Sequence, residues 1–122
     1  MWIYPTSTGG QMIRHIVSFR MRSTDSTQKS IDIASMRAAL VALSGVIPDV
    51  TQIEVHSDLN MVPGHWDAVL ISEHPSNTSL EAYQAHPAHR EAVTLINSLV
   101  EDRAVVDFEV QDSGGLDRDA TT

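Results

Sequence analysis

Residues 66–73 read WDAVLISE, and in an extended chain they place Trp66, Ala68 and Leu70 on one face and Val69 and Ile71 on the other. A strand that is apolar on both sides is covered on both sides. The helical patterns elsewhere suffice to cover one of them, so the second cover is expected from another copy of the chain. The same alternation marks a neighbouring strand over 51–57, where Ile53 and Val55 face inward and Gln52, Glu54 and His56 outward, with a turn around Asn60 to Gly64 between the two.

Downstream, Thr78 and Glu81 form a T-x-x-E capping box, which predicts a short helix presenting Leu80 and Tyr83. Pro87 stops that helix, because the residue before a proline is pushed out of the helical region, and is well placed to start the next one. The new helix carries His89, Val93, Ile96 and Val100 at spacings of 4, 3 and 4, and a final strand runs over 104–110. Upstream, Ile13, His15, Val17, Phe19 and Met21 share one face of a first strand. Ser23 to Ser26 offer helix caps, and Ile33, Met36, Leu40, Leu43 and Ile47 form the stripe of a helix that Gly45 and Pro48 end. The order is βαββαβ with a broken second helix, an α+β domain over 12–110. Residues 1–11 are expected to be an N-terminal arm and 111–122 a flexible acidic tail.

The 122 residues are enough for one core, and 42% hydrophobic with 20% charged residues is ordinary globular usage. With no Cys there is no disulfide framework, and no apolar run approaches the length of a membrane span, so a cytoplasmic address is the default expectation. A net charge of -8 opposes binding to nucleic acid or anionic lipid, both polyanions. Five of the eight Lys and Arg lie before residue 49, and Arg14, Arg20 and Arg22 either attract a small anion or form solvated surface.

Three polar residues occupy positions where the pattern predicts apolar ones: His15 in the first strand, Tyr83 in the short helix and His89 in the last helix. If they share one space between sheet and helices, imidazole can exchange a proton near neutral pH and the phenol can stabilise a developing oxyanion, without metal or cofactor. The alternative is structural, each group satisfying a backbone partner. His86 and His89 form an H-P-A-H unit, and His15, His56, His65 and His74 lie elsewhere. Pro87 separates the pair and no acid stands at ligand spacing, so no metal site is expected and His86 reads as a helix cap.

The segments MIRHIVSFRMR, GVIPDVTQIEVHSD, WDAVLISEH, LEAYQAHPAHREAV and VVDFEV together resemble the stress-responsive dimeric α/β-barrel family over about residues 12–110, and the Tyr followed by H-P-A-H is the most specific part. The resemblance implies a ferredoxin-like monomer whose sheets pack face to face in a homodimer. By similarity to polyketide cyclases of that family, it implies His89 as a catalytic base, Tyr83 as the assisting group and His15 as the inward histidine of the first strand. A pocket histidine of those cyclases falls near Ala68 here, and their pocket tyrosine on the first helix has no secure counterpart. Two functions stay open: a dimeric module whose pocket holds a small molecule, and a cofactor-independent lyase or isomerase acting on a small carbonyl compound.

Overall fold

The computed structural model describes residues 11–111, so the expected arm and tail fall, but for Gln11 and Gln111, outside the described residues. Strand β1 (Gln11–Met21) leads into helix α1 (Ser26–Val41), which tightens into a 3-10 turn over Ala42–Gly45. Strands β2 (Gln52–Ser57) and β3 (Ala68–His74) follow, then helices α2 (Asn77–Ala85) and α3 (Pro87–Leu99), and strand β4 (Val100–Gln111). The sheet order is β2-β3-β1-β4, antiparallel throughout, so the two apolar strands β1 and β3 are central.

Each helix starts where a side chain can accept from the free N–H groups of its first turn. Asp25 caps α1 by accepting from the Gln28 N–H at 2.8 Å. His86 caps α3, its Nδ1 accepting from the Ala88 N–H at 3.0 Å, and Pro87 takes the first position, where a missing N–H costs nothing. The expected T-x-x-E box does not form. Ser76, two residues earlier, caps α2 by accepting from the Ser79 N–H at 3.1 Å, because the bend leaving β3 puts Ser76 in extended backbone while Thr78 is already helical.

The predicted α1 stripe is the buried one: Ile33, Met36, Leu40, Leu43 and Ile47 all lie in the core with Val17, Phe19, Met21, Val55 and Leu70. In α3 the buried positions are Ala92 and Ile96, and Val100 is buried as the first residue of β4 rather than as the last of a helical stripe. Trp66 also departs from expectation. It precedes β3 and stays half-buried beneath the Arg20 guanidinium, 4.6 Å from the ring centroid, whereas Arg20 belongs to the half-buried outer side of β1. Its neighbour Asp67 ties three elements together, accepting from the Met21 N–H at 2.8 Å and from Lys29 Nζ at 3.0 Å. The turn between β2 and β3 uses left-handed backbone at Asn60 (φ 63) and Gly64 (φ 88), residue types that tolerate it.

The face of the sheet away from the helices is apolar through its centre. Register places Ile71, Ile16 and Val106 side by side across β3, β1 and β4, with Val69 beside that row and Phe108 one step along β4. Ile16, Val69 and Ile71 are half-buried, and Val106 and Phe108 are 61% and 43% exposed. The basic cluster expected from sequence is dispersed. Arg14 pairs with its register neighbour Glu73 at 2.6 Å, Arg20 stacks on Trp66, and Arg22 donates to the Asn97 carbonyl at 3.2 Å.

A candidate active site of three histidines and a tyrosine

The inner face of the sheet changes from apolar to polar near one end. Register sets Ser72 of β3, His15 of β1 and Asp107 of β4 in one row, all pointing to the helix side, and His74 follows Ser72 on the same face. His15, Ser72 and His74 are buried. His15 Nδ1 and Asp107 Oδ1 approach to 2.5 Å, so the ring N–H donates to a carboxylate that remains 42% exposed at the open edge of the sheet. That bond fixes the orientation of the ring. His74 is held at both nitrogens: Nδ1 donates to the Asp49 carbonyl at 2.8 Å, and Nε2 accepts from Ser72 Oγ at 2.8 Å.

The helices contribute the other half. Tyr83 of α2 is fully buried, and its ring lies 4.8 Å from that of His74 and 4.6 Å from that of His89, centroid to centroid. His15 and His74 are 6.4 Å apart by the same measure. The rings therefore form one connected series from sheet to helix: His15, His74, Tyr83, His89. The break at Pro87 makes this possible, because it redirects the chain between Tyr83 and His89 and lets two short helices converge on one spot. Three clefts of about 500, 330 and 310 Å³ lie elsewhere: on the outer side near Ser18 and Val69, between α1 and α3, and at the β2–β3 turn.

Two polar atoms in this series are buried without a partner, the Tyr83 hydroxyl and His89 Nδ1. An unpaired buried polar group costs about 1–3 kcal/mol, and such atoms are rare in folded proteins, so two on neighbouring rings single out the spot. Burial also sets their proton affinities. It pushes the Tyr83 phenol up to about 12, leaving a hydrogen-bond donor and not a base. Desolvation lowers His89 below the ordinary histidine value, opposed by the Gln84 backbone and aided by His15 and His74. Desolvation likewise lowers His74, opposed first by the Asp49 carbonyl. Both rings are neutral at pH 7.

Because folded His74 and His89 hold protons less tightly than the unfolded chain does, their contribution to stability is present above the unfolded value of about 6.5 and is lost as pH falls through their lower folded values. Urea unfolding at pH 7.5 and pH 5 should show lower stability at the acid value, and His74→Phe combined with His89→Gln should flatten the difference. An unchanged pH dependence in that double variant would refute the assignment.

The sequence reading expects His15, Tyr83 and His89 to line one cavity; the structure sets Tyr83 beside His89 and links His15 to them only through His74, and none of the three clefts is lined by any of them. The structure also adds His74, Ser72 and Asp107, which that reading left out. The signal for the first two was available: the alternation that puts Ala68 and Leu70 inward puts Ser72 and His74 inward as well. His56 and His65 stand apart, on Glu54 at 2.9 Å and Asp58 at 3.1 Å. Among the described residues, no three His, Asp or Glu side chains converge as a metal site would require.

A family model described as the stress responsive A/B barrel domain matches residues 13–110, nearly the whole described chain. The chain belongs to this family. Solved structures agree with the A/B barrel assignment. A dimeric protein of ferredoxin-like fold from Bacteroides fragilis NCTC 9343 is 35% identical, with a TM-score of 0.70 over 81% of this chain and 96% of that one. A dimeric ferredoxin-like protein from Thermobifida fusca YX is 28% identical, with a TM-score of 0.71 over 87% and 97%. A hydroxynitrile lyase from Passiflora edulis is 17% identical with a TM-score of 0.71 over 86% and 98%, and shares the fold. No curated protein matches the chain. The A/B barrel monomer is thus the ferredoxin-like βαββαβ unit with a broken second helix that the sequence predicted.

Proposed function

We propose that the protein is a homodimeric A/B barrel that binds a small carbonyl compound at the Tyr83–His89 pair. The observation that carries this reading is the adjacency of two buried, unpartnered polar atoms, the Tyr83 hydroxyl and His89 Nδ1. A carbonyl oxygen accepts the bond that the phenol has to offer, and a polarised C–H or O–H of the same molecule meets the free ring nitrogen. The dimer is supported by the apolar outer face of the sheet and by the dimeric relatives.

A second reading, proton transfer on the bound compound, is favoured by the protonation states. A neutral His89 accepts a proton from the carbon beside the carbonyl, the electron pair moves onto oxygen, and the protonated Tyr83 hydroxyl stabilises the enolate. Return of the proton from His89 closes the cycle, so the step balances without cofactor or metal. In this reading His15, whose Nδ1–H is committed to Asp107 and whose ring reaches Tyr83 only through His74, keeps an acceptor nitrogen and does not polarise the oxygen.

Titration of His89 by NMR in the wild type and in Tyr83→Phe tests the site. Its midpoint should lie below the ordinary value of about 6.5 and should shift in Tyr83→Phe. An ordinary midpoint, unmoved by that substitution, would leave His89 a structural residue.

A further inference from the structure

We propose that His74 is a positioning residue for the Tyr83–His89 pair, pinned from behind by Ser72 and the Asp49 carbonyl and forming the wall against which Tyr83 is set. This inference rests on the functional reading above. Neither His74 nor Ser72 is exposed, and an imidazole at that place is not needed for packing, since a phenyl ring fills similar space without two polar atoms to satisfy. What the imidazole adds is direction. The bond from Nδ1 to the Asp49 carbonyl commits that nitrogen as donor, so Nε2 is the acceptor and the Ser72 hydroxyl is the donor to it. Both bonds come from the sheet side, from β3 itself and from the segment entering β2. They hold the ring plane fixed at a tilt of 50° to the Tyr83 ring, which in turn meets His89 edge-on at 60°. A phenyl ring at 74 rotates about its own bonds without cost in hydrogen bonds, whereas the imidazole does not.

The groups facing His74 are His15 and Asp107 from β1 and β4, the Asp49 segment before β2, Tyr83 from α2 and, beyond it, His89 from α3. Only Tyr83 lies between His74 and His89 in the ring series, so a loss of orientation at 74 is transmitted to His89 through Tyr83.

The test uses the full chain carrying His74→Phe together with Ser72→Ala, which removes both hydrogen bonds of the ring at 74 while keeping an aromatic ring there, and leaves no hydroxyl stranded. Two readouts are taken at 25 °C on folded protein: the His89 titration midpoint and the flip rate of the Tyr83 ring, both by NMR. Leu80→Ala, in the same helix and likewise buried, serves as the control for general loosening. The expected result is a Tyr83 ring that flips at least about tenfold faster and a His89 midpoint nearer the ordinary value of about 6.5, with neither change in Leu80→Ala. A double variant whose His89 midpoint and Tyr83 flip rate match the wild type would overturn the proposal, whatever its melting temperature. If the double variant fails to fold, Ser72→Ala alone gives the same reading, since it frees one of the two nitrogens of an otherwise intact His74. Failure of the functional reading is separate: it shows as a wild-type His89 that ignores Tyr83→Phe.

Discussion

Val69→Asp is expected to convert a dimer into a monomer or an unfolded chain, read by sedimentation velocity. Val69 lies on the outer side of β3, one step along from the row of Ile71, Ile16 and Val106. In a two-fold assembly every interface residue occurs twice, so one substitution buries two carboxylates. Each charge taken from water without a partner costs several kcal/mol, enough to weaken association about a thousandfold or more. Val69→Ala removes two methyl groups and adds no charge, so it should stay dimeric. A wild-type protein that sediments as a monodisperse monomer would contradict the face-to-face arrangement.

Tyr83 provides the second large effect, and the two halves of its side chain should separate cleanly. Its ring is fully buried against His74 and His89, so Tyr83→Ala opens a cavity and should cost about 3–5 kcal/mol in urea unfolding, as large aromatic truncations do. Its hydroxyl is buried without a partner, so Tyr83→Phe removes a polar atom that contributes nothing to the fold and should leave stability unchanged or raised. The same Phe variant should lose carbonyl binding. A substantial loss of stability in Tyr83→Phe would mean that the hydroxyl has a structural partner, and the site reading would fall with it.

The α+β order was legible because strand and helix periods alternate cleanly along the chain: Ile13 to Met21 at every second residue, Ile33 to Ile47 at every third or fourth. Boundaries were harder where two signals compete. Thr78 and Glu81 satisfy a capping pattern, but Ser76 is the residue whose backbone is still extended, and the first polar side chain in that state takes the free N–H groups. Val100 fits a helical stripe and a strand equally well, since it stands at the junction of α3 and β4. Trp66 belonged by parity with Ala68, yet the segment before β3 is not a regular strand, and the large ring finds Arg20 outside instead of the core.

The site was half legible. His15, Tyr83 and His89 stood out as polar residues in apolar patterns. Ser72 and His74 did not, because they close a strand that begins as Ala68 and Leu70, and a serine and a histidine there read as the polar end of a strand. Asp107 was hidden by its position on an edge strand, where alternation carries no burial and either face accepts a carboxylate. Its partnership with His15 depends on the register between β1 and β4, separated by 92 positions along the chain, which only the fold reveals.

The claim that Tyr83 and His89 together receive a small carbonyl compound is tested most directly by soaking crystals of the wild-type protein in a panel of small ketones and aldehydes and determining where they bind. The expected result is a carbonyl oxygen within hydrogen-bond distance of the Tyr83 hydroxyl, with the adjoining carbon facing His89 Nδ1, and no such density in Tyr83→Phe. Carbonyl compounds bound only in the outer cleft beside Val69, with the Tyr83–His89 pair closed over packed core, would contradict it.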